Sequence, residues 1–504
     1  MKRNTICFAV VFLVIFHLIL ASWRLFLSDV YFSSDIARDF FIFDEIKQKI
    51  FLFIGGRTSS GLFHGPLWWY INFPAYLIGH GNPIIVGWYW ILLITLSLFA
   101  SYFVAKKLFS QTVAYLYVIM LSVLYIFYAN ALINPAGAML IMPLFFYYFI
   151  RYIETLRLKY LILELCVIGA MIQFEMAVGI PLLLLSSPII IYYAVRGKRK
   201  KHLLSFLVIS IWVSTFAIFD LRHNFILLKQ AINFATPGIN ISSGLTYQSI
   251  VADRLRSLLY RNYLVRNLPS FLDFIPMTIM SIFLFLQIKQ GRYKKIYFSF
   301  IYFFLGFFVL SFINKGYMLD FYLFPFVPLI ILIFCSFFNS KYKKIFLLIF
   351  IIFYIFNLNS SLDQVRDYSR IVGKDENSWK FLYSAASRIF ESPENKFGYF
   401  EYTPDITGYR SKYALLYAAK THPKKTAYAY QKKRITFVLI AIPSSNAPYL
   451  HYDYWQINQL GITSKPEEVI KFQNGYLLEK FLLPMNEINT PVNYDIVNVG
   501  LHYR

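Results

Sequence analysis

Residues 160–195 read YLILELCVIGAMIQFEMAVGIPLLLLSSPIIIYYAV, an apolar run whose charged members are Glu164 and Glu175 alone. As one helix it would measure ~50 Å, against a bilayer hydrocarbon core of ~30 Å. It is therefore too long for one crossing and too apolar for water. Glu175 and Gly179-Ile180-Pro181 allow a turn, which divides the run into spans at 160–177 and 179–195. Asn134-Pro135 divides the run 111–150 in the same way.

Working outward, the same length criterion predicts further spans at 6–27, 84–105, 111–129, 136–151, 203–219, 271–288, 296–313, 321–338 and 345–359, about eleven in all. Composition agrees: 58% of residues are hydrophobic and 15% are charged, below the ~25% of soluble domains. The 53 Phe and 40 Tyr suit a lipid-facing surface with amphipathic rings near the headgroups. The formal charge of +23 lies between apolar runs instead of on one patch, so nucleic acid is not an expected partner. Cys7, Cys166 and Cys335 lie inside apolar runs without metal-ligand spacing and read as small buried hydrophobes. Met-Lys-Arg before the first run resembles a signal peptide, but no small-residue cleavage site follows, so a retained span is expected.

Parity is tested by charge, because cytoplasmic loops collect Lys and Arg. Lys2-Arg3, Lys106-Lys107, Arg151 to Lys159, Arg196 to Lys201, Lys289 to Lys295 and Lys341 to Lys344 fall on one face if each span crosses once. The expected protein is thus mainly α and polytopic in the cell inner or plasma membrane, with a cytoplasmic N-terminus and an exoplasmic C-terminal domain. Residues 1–359 form the transmembrane domain, with a first exoplasmic loop at 28–83 and a second long one at 220–270. Periodic apolar residues from Ile36 to Ile50 and from Leu62 to Leu77 predict short interfacial helices in the first loop. Residues 360–504 have soluble composition; Lys396 to Tyr402 and Ile435 to Ile442, the latter ended by Pro443-Ser444-Ser445, predict strands of a small α/β domain.

Chemistry-bearing residues concentrate in the exoplasmic stretches. Asp35, Arg38 and Asp39 follow the first span, and on a helix the two carboxylates share one face. Such a cluster can take a proton from a hydroxyl or hold a metal, or it can simply be a solvated helix start. Gly55-Gly56-Arg57-Thr58-Ser59-Ser60 and His64-Gly65-Pro66-Leu67-Trp68-Trp69-Tyr70 predict a turn into an aromatic helix that anchors at the interface, with Arg57 and His64 as polar candidates before it. Asp220-Leu221-Arg222-His223-Asn224-Phe225 offers two donors suited to phosphate or, alternatively, a topological cap. Lys315, in the segment leading to Tyr322, supplies another cation, and Glu175 is costly near the membrane unless it is paired or lines a cavity.

Taken in order, Asp35-Ile36-Ala37-Arg38-Asp39, Gly56-Arg57-Thr58-Ser59 and His64 to Tyr70 resemble the first periplasmic loop of bacterial GT-C class membrane glycosyltransferases, the family of protein O-mannosyltransferases and the aminoarabinose transferase of lipid A. Asp220 to Phe225 and the Asn134-Pro135 turn are similar to that group, and the resemblance covers roughly residues 6–345. It implies inverting transfer of a sugar from a polyprenyl-phosphate carrier to a glycolipid, glycan or protein acceptor on the exoplasmic face. It places the catalytic carboxylate at Asp35, with Asp39 second. Arg38, Arg222, His223 and Lys315 are the expected donor-phosphate ligands, and Arg57, His64, Glu175 and Tyr322 the expected cavity residues. It implies no definite cofactor; a divalent metal is the open alternative, although Ile36 stands where several relatives carry a second carboxylate. Two other readings remain: a secondary transporter or lipid-linked sugar flippase, and a scaffold that binds a partner through its C-terminal domain.

Overall fold

A computed structural model describes residues 3–48, 51–58, 62–235, 246–257, 263–313, 316, 318–405, 407–441 and 452–493. Lys315, Ser59-Ser60, Ile50 and the end of the second expected strand, Ile442 to Ser445, lie outside them. The principal helices in chain order are α1 (Arg3–Ala21), α2 (Ser34–Gln48), α3 (Leu67–Ile78), α4 (Pro83–Leu108), α5 (Gln111–Tyr128), α6 (Asn134–Thr155), α7 (Leu158–Phe174), α8 (Met176–Arg196), α9 (Lys200–Arg222), α10 (Tyr247–Leu255), α11 (Ser270–Gln290), α12 (Lys294–Ser311), α13 (Phe326–Asn339), α14 (Lys343–Ile371), α15 (Trp379–Phe390) and α16 (Tyr409–Thr421). Contacts divide the chain into two compact units. The first comprises residues 1–22, 51–72 and 88–365, and the second residues 23–50, 73–87 and 366–504.

The first unit holds the apolar helices. Among the described residues, nine helices are long and apolar enough to cross a membrane. The expected spans 160–177 and 321–338 correspond to α7, with 17 residues, and to the shorter apolar α13. The long run breaks at Glu175 alone, which takes an extended backbone (φ −151°, ψ 101°) and whose Oε1 accepts from the Ala177 amide at 3.2 Å. Pro181 lies inside α8 and ends nothing. Gly179 instead lets α7 and α8 approach, since a Cβ there would stand 2.4 Å from the Ile172 amide nitrogen. The other divided run restarts at Asn134, with Pro135 in the first turn of α6, where its missing N–H has no helical partner to lose. Cys335 is buried, whereas Cys7 is exposed on α1.

The expected aromatic anchor is protein core. Trp68 is buried with its ring edge-on to Trp90 at 5.6 Å, and Trp69 is buried against Gly55, where a Cβ would sit 1.9 Å from the indole. Any side chain larger than hydrogen at position 55 would displace that ring.

The second unit is a five-stranded mixed sheet with helices and part of the first loop. Its strands are β1 (Lys396–Tyr402), β2 (Thr426–Ala429), β3 (Ile435–Ile440), β4 (Glu468–Lys471) and β5 (Leu477–Leu482), in the order β2-β1-β3-β5-β4. β1 pairs in parallel with β2 and β3, while β5 runs antiparallel to β3 and β4. One face buries Phe400, Val438, Ile440 and Phe481; on the other, Phe390 of α15 packs edge-on to Phe397. The apolar stripe of α2, expected to lie on lipid, is covered by protein: Phe40 and Phe41 pack against Tyr413 of α16 at 5.1 and 5.4 Å. Asp44 on α2 accepts from the Tyr76 hydroxyl and takes Lys420 Nζ at 2.8 Å.

Glu401 on β1 is 6% exposed, and neither of its carboxylate oxygens has a hydrogen bond. Gly408, at φ +61°, closes over it. Burial pushes its pKa up to about 8, against the attraction of Lys412. The unfolded carboxyl ionises near pH ~4.3, so raising the pH from there toward 8 ionises the unfolded chain first and progressively lowers stability. Glu401→Gln is expected to stabilise the protein at pH 8 by on the order of 1–3 kcal/mol and to have little effect near pH 4. Unfolding midpoints of the two proteins at both pH values check this, and a gain equal at both would refute the assignment.

Candidate functional site

The expected site residues fall into two sets, one in each unit. In the second unit α2 begins at Ser34, whose hydroxyl donates to Asp405 Oδ2 at 2.6 Å and so ties the helix start to the loop after β1. One turn on, Arg38 bridges the two carboxylates, with Nη1 3.2 Å from Asp35 and Nη2 3.3 Å from Asp39. Burial opposes the guanidinium charge, but Asp39 and Asp35 outweigh it and raise its pKa. The two carboxylates differ: the Asp35 side chain is 70% exposed and that of Asp39 is 4% exposed. Asp35 is therefore reachable from solvent, whereas Asp39 is buried beside the guanidinium.

In the first unit the helix breaks assemble a polar nest. Asn134, at the head of α6, donates from Nδ2 to the Phe174 carbonyl (2.7 Å) and lies 3.0 Å from His64 Nδ1. Glu175 Oε2 lies 3.9 Å from the same imidazole nitrogen. The Gly65 amide donates to the Gln173 carbonyl at 3.0 Å, and a Cβ at Gly65 would meet Gln173 Oε1 at 2.1 Å, so the loop sits directly on the end of α7. Tyr322 is half-buried and within electrostatic range of Glu175.

Around this nest, residues 55–58 and 62–64 pair antiparallel, the Gly55 amide donating to the His64 carbonyl at 2.8 Å and the His64 amide to the Gly56 carbonyl at 3.1 Å. Phe63 on the turn, Phe53 before it and Phe219 of α9 belong to one apolar cluster. Basic side chains stand on its rings: Arg57 lies 6.0 Å from the Phe63 centroid, Arg222 4.9 Å from that of Phe53, and the His223 ring stacks on Phe219 at 4.0 Å. His223 Nδ1 donates to the Phe219 carbonyl at 2.7 Å, which leaves Nε2 as the other ring nitrogen for a ligand. Asp220 holds the segment that follows, its carboxylate accepting from the Leu227 and Leu228 amides.

The structure thus groups Arg57, His64, Glu175, Arg222, His223 and Tyr322 in one unit and Asp35, Arg38 and Asp39 in the other. Asn134 and Gln173 were not anticipated as site residues, although a polar residue heading an apolar helix was a usable signal. Among the described residues no three His, Cys, Asp or Glu side chains stand close enough to hold a metal ion.

Residues 64–223 match the family described as dolichyl-phosphate-mannose-protein mannosyltransferase. The fold is similar to that of ArnT from Cupriavidus metallidurans bound to undecaprenyl phosphate, with a TM-score of 0.55 and 11% identity over 95% of this chain and 98% of that one. The apo state of the same protein gives 0.54 and 11% over 94% and 98%. The chain has a GT-C-like fold. The family match covers the nest and, of the basic cluster, Arg222 and His223 but not Arg57, while the fold likeness extends through both units. No curated protein matches the chain by sequence.

Proposed function

We propose that this GT-C-like protein is a membrane glycosyltransferase that moves a sugar from a polyprenyl-phosphate-linked donor to a glycolipid, glycan or protein acceptor on the exoplasmic face, with inversion. The observation that carries the reading is the gathering of Arg57, Arg222 and His223 on one aromatic cluster beside the His64 nest. Exposed Lys and Arg normally project into water; cations laid over rings at the end of an apolar helix instead suit a phosphate at headgroup depth. An apolar groove of about 520 Å³ between α11 and α12, lined by Met277, Met280, Leu284 and Phe304, is of the kind that takes an isoprenoid chain.

In this reaction Asp35 accepts the proton of the acceptor hydroxyl as its oxygen bonds to the anomeric carbon. The bond from that carbon to the phosphate oxygen breaks, and the electron pair leaves on the polyprenyl phosphate. Charge on the phosphate grows along the reaction, so fixed donors (Arg222, His223 and, outside the described residues, Lys315) stabilise the transition state more than the ground state. Arg38 serves the carboxylates first; its pairing with Asp35 and Asp39 leaves it a positioning role and at most a secondary phosphate contact. ArnT was solved with undecaprenyl phosphate, which supports a donor of that class.

The test is incubation of purified protein in detergent, without any ion gradient, with a polyprenyl-phosphate-linked sugar and an extract of candidate acceptors. Release of free polyprenyl phosphate together with a sugar-bearing product is expected. A protein that moves the intact lipid-linked sugar across vesicles and never releases polyprenyl phosphate would be a transporter, and the proposal would fail.

A further inference from the structure

Between α6, α8 and α12, at the helix ends that adjoin basic loops, lies a groove of about 550 Å³. Its walls include Phe149 and Ile153 of α6, Pro188 and Ile189 of α8, and Phe298 and Tyr302 of α12. Its mouth is basic. Lys294 and Lys295 line it and are exposed in the first turn of α12. Tyr192 also lines it, and Arg196 donates to the Tyr192 hydroxyl with its guanidinium 5.7 Å from the ring. Among the described residues no carboxylate lines the groove, and Glu154, next to Ile153, is paired with Arg151 at 3.0 Å.

An apolar slot closed at one end by cations has the shape and charge of an amphiphile with an anionic head. A zwitterionic headgroup would bring an ammonium against Lys294 and Lys295, whereas both lysines attract an anionic headgroup. The positive end of the α12 dipole and the tyrosines at headgroup depth act in the same sense. We propose that this groove binds an anionic phospholipid, with an acyl chain against Ile189 and Phe298 and its phosphate at Lys294 and Lys295. It shares no residue with the set assigned to the sugar donor, and the charge pattern of the sequence puts it on the cytoplasmic side.

Native mass spectrometry of the purified full-length protein, given equal amounts of phosphatidylglycerol and phosphatidylcholine, tests this. The wild type is expected to retain phosphatidylglycerol about tenfold better. The double variant Lys294→Gln/Lys295→Gln should lose that preference, Lys294→Arg/Lys295→Arg should keep it, and Ile189→Trp, which fills the slot, should lose retention of both lipids. Equal retention of the two lipids by the wild type overturns the proposal without any variant. So does undiminished phosphatidylglycerol retention by Ile189→Trp, which would mark a basic surface with no slot, or displacement of the lipid by glycerol phosphate at equal concentration, which would mark an anion site alone.

Discussion

Asp35→Asn is expected to slow sugar transfer by ~10²–10⁴-fold while leaving the chain folded. The substitution keeps shape and removes the proton acceptor. Its cost to stability is small because the Asp35 side chain is 70% exposed, and an exposed ion pair contributes ~1 kcal/mol or less. Asp39→Asn should behave in the opposite way: the side chain is 4% exposed and pairs with a buried guanidinium, so stability falls and any rate loss follows from a misplaced α2. Initial rates with a polyprenyl-phosphate-linked donor, alongside unfolding midpoints, separate the two. Wild-type turnover by Asp35→Asn would remove this residue from the chemistry, whatever became of the fold.

Asp29→Ala is expected to be among the most damaging substitutions for folding, at about 3–5 kcal/mol. Asp29 is fully buried and satisfies three donors: Arg24 Nε at 2.8 Å, the Ser378 hydroxyl at 3.0 Å and the Lys380 amide at 2.9 Å. Its removal leaves the Arg24 charge buried beside the Tyr31 and Tyr368 rings, each 5.6 Å away. It also strands the start of α15, since Ser378 is the cap that accepts from the Phe381 amide. Thermal unfolding and limited proteolysis of residues 366–441 should both report the loss. A double change that removes the charge together with its partner, Arg24→Met with Asp29→Leu, should recover much of it. A midpoint for Asp29→Ala within ~1 kcal/mol of wild type would show that the network is not a stabilising one.

How far the site could be read from the sequence depended on the range of the interactions that build it. Asp35 and Asp39 share a helical face by spacing alone, and Arg38 between them is local, so that cluster was visible before any fold was known. The nest was not, because His64, Asn134 and Glu175 are brought together only when α6 and α7 pack, and nothing in their spacing announces it. The aromatic run Trp68-Trp69-Tyr70 misled for a related reason. Indole rings suit a membrane interface and a tight core equally well, and it was the absence of a side chain at Gly55 that decided for the core.

The multi-pass membrane character and strands near 396–402 and 435–440 were determined by the sequence alone, because hydropathy over ~20 residues and alternation over a few are local properties of the chain. Tertiary packing decided that the break falls at Glu175 and not at Pro181, that the face of α2 is covered by Tyr413 and not by lipid, and that Arg57, Arg222 and His223 meet on one set of rings. Each is a choice between partners that the local sequence leaves nearly equal, and only the contacts of distant segments make one of them lower in free energy.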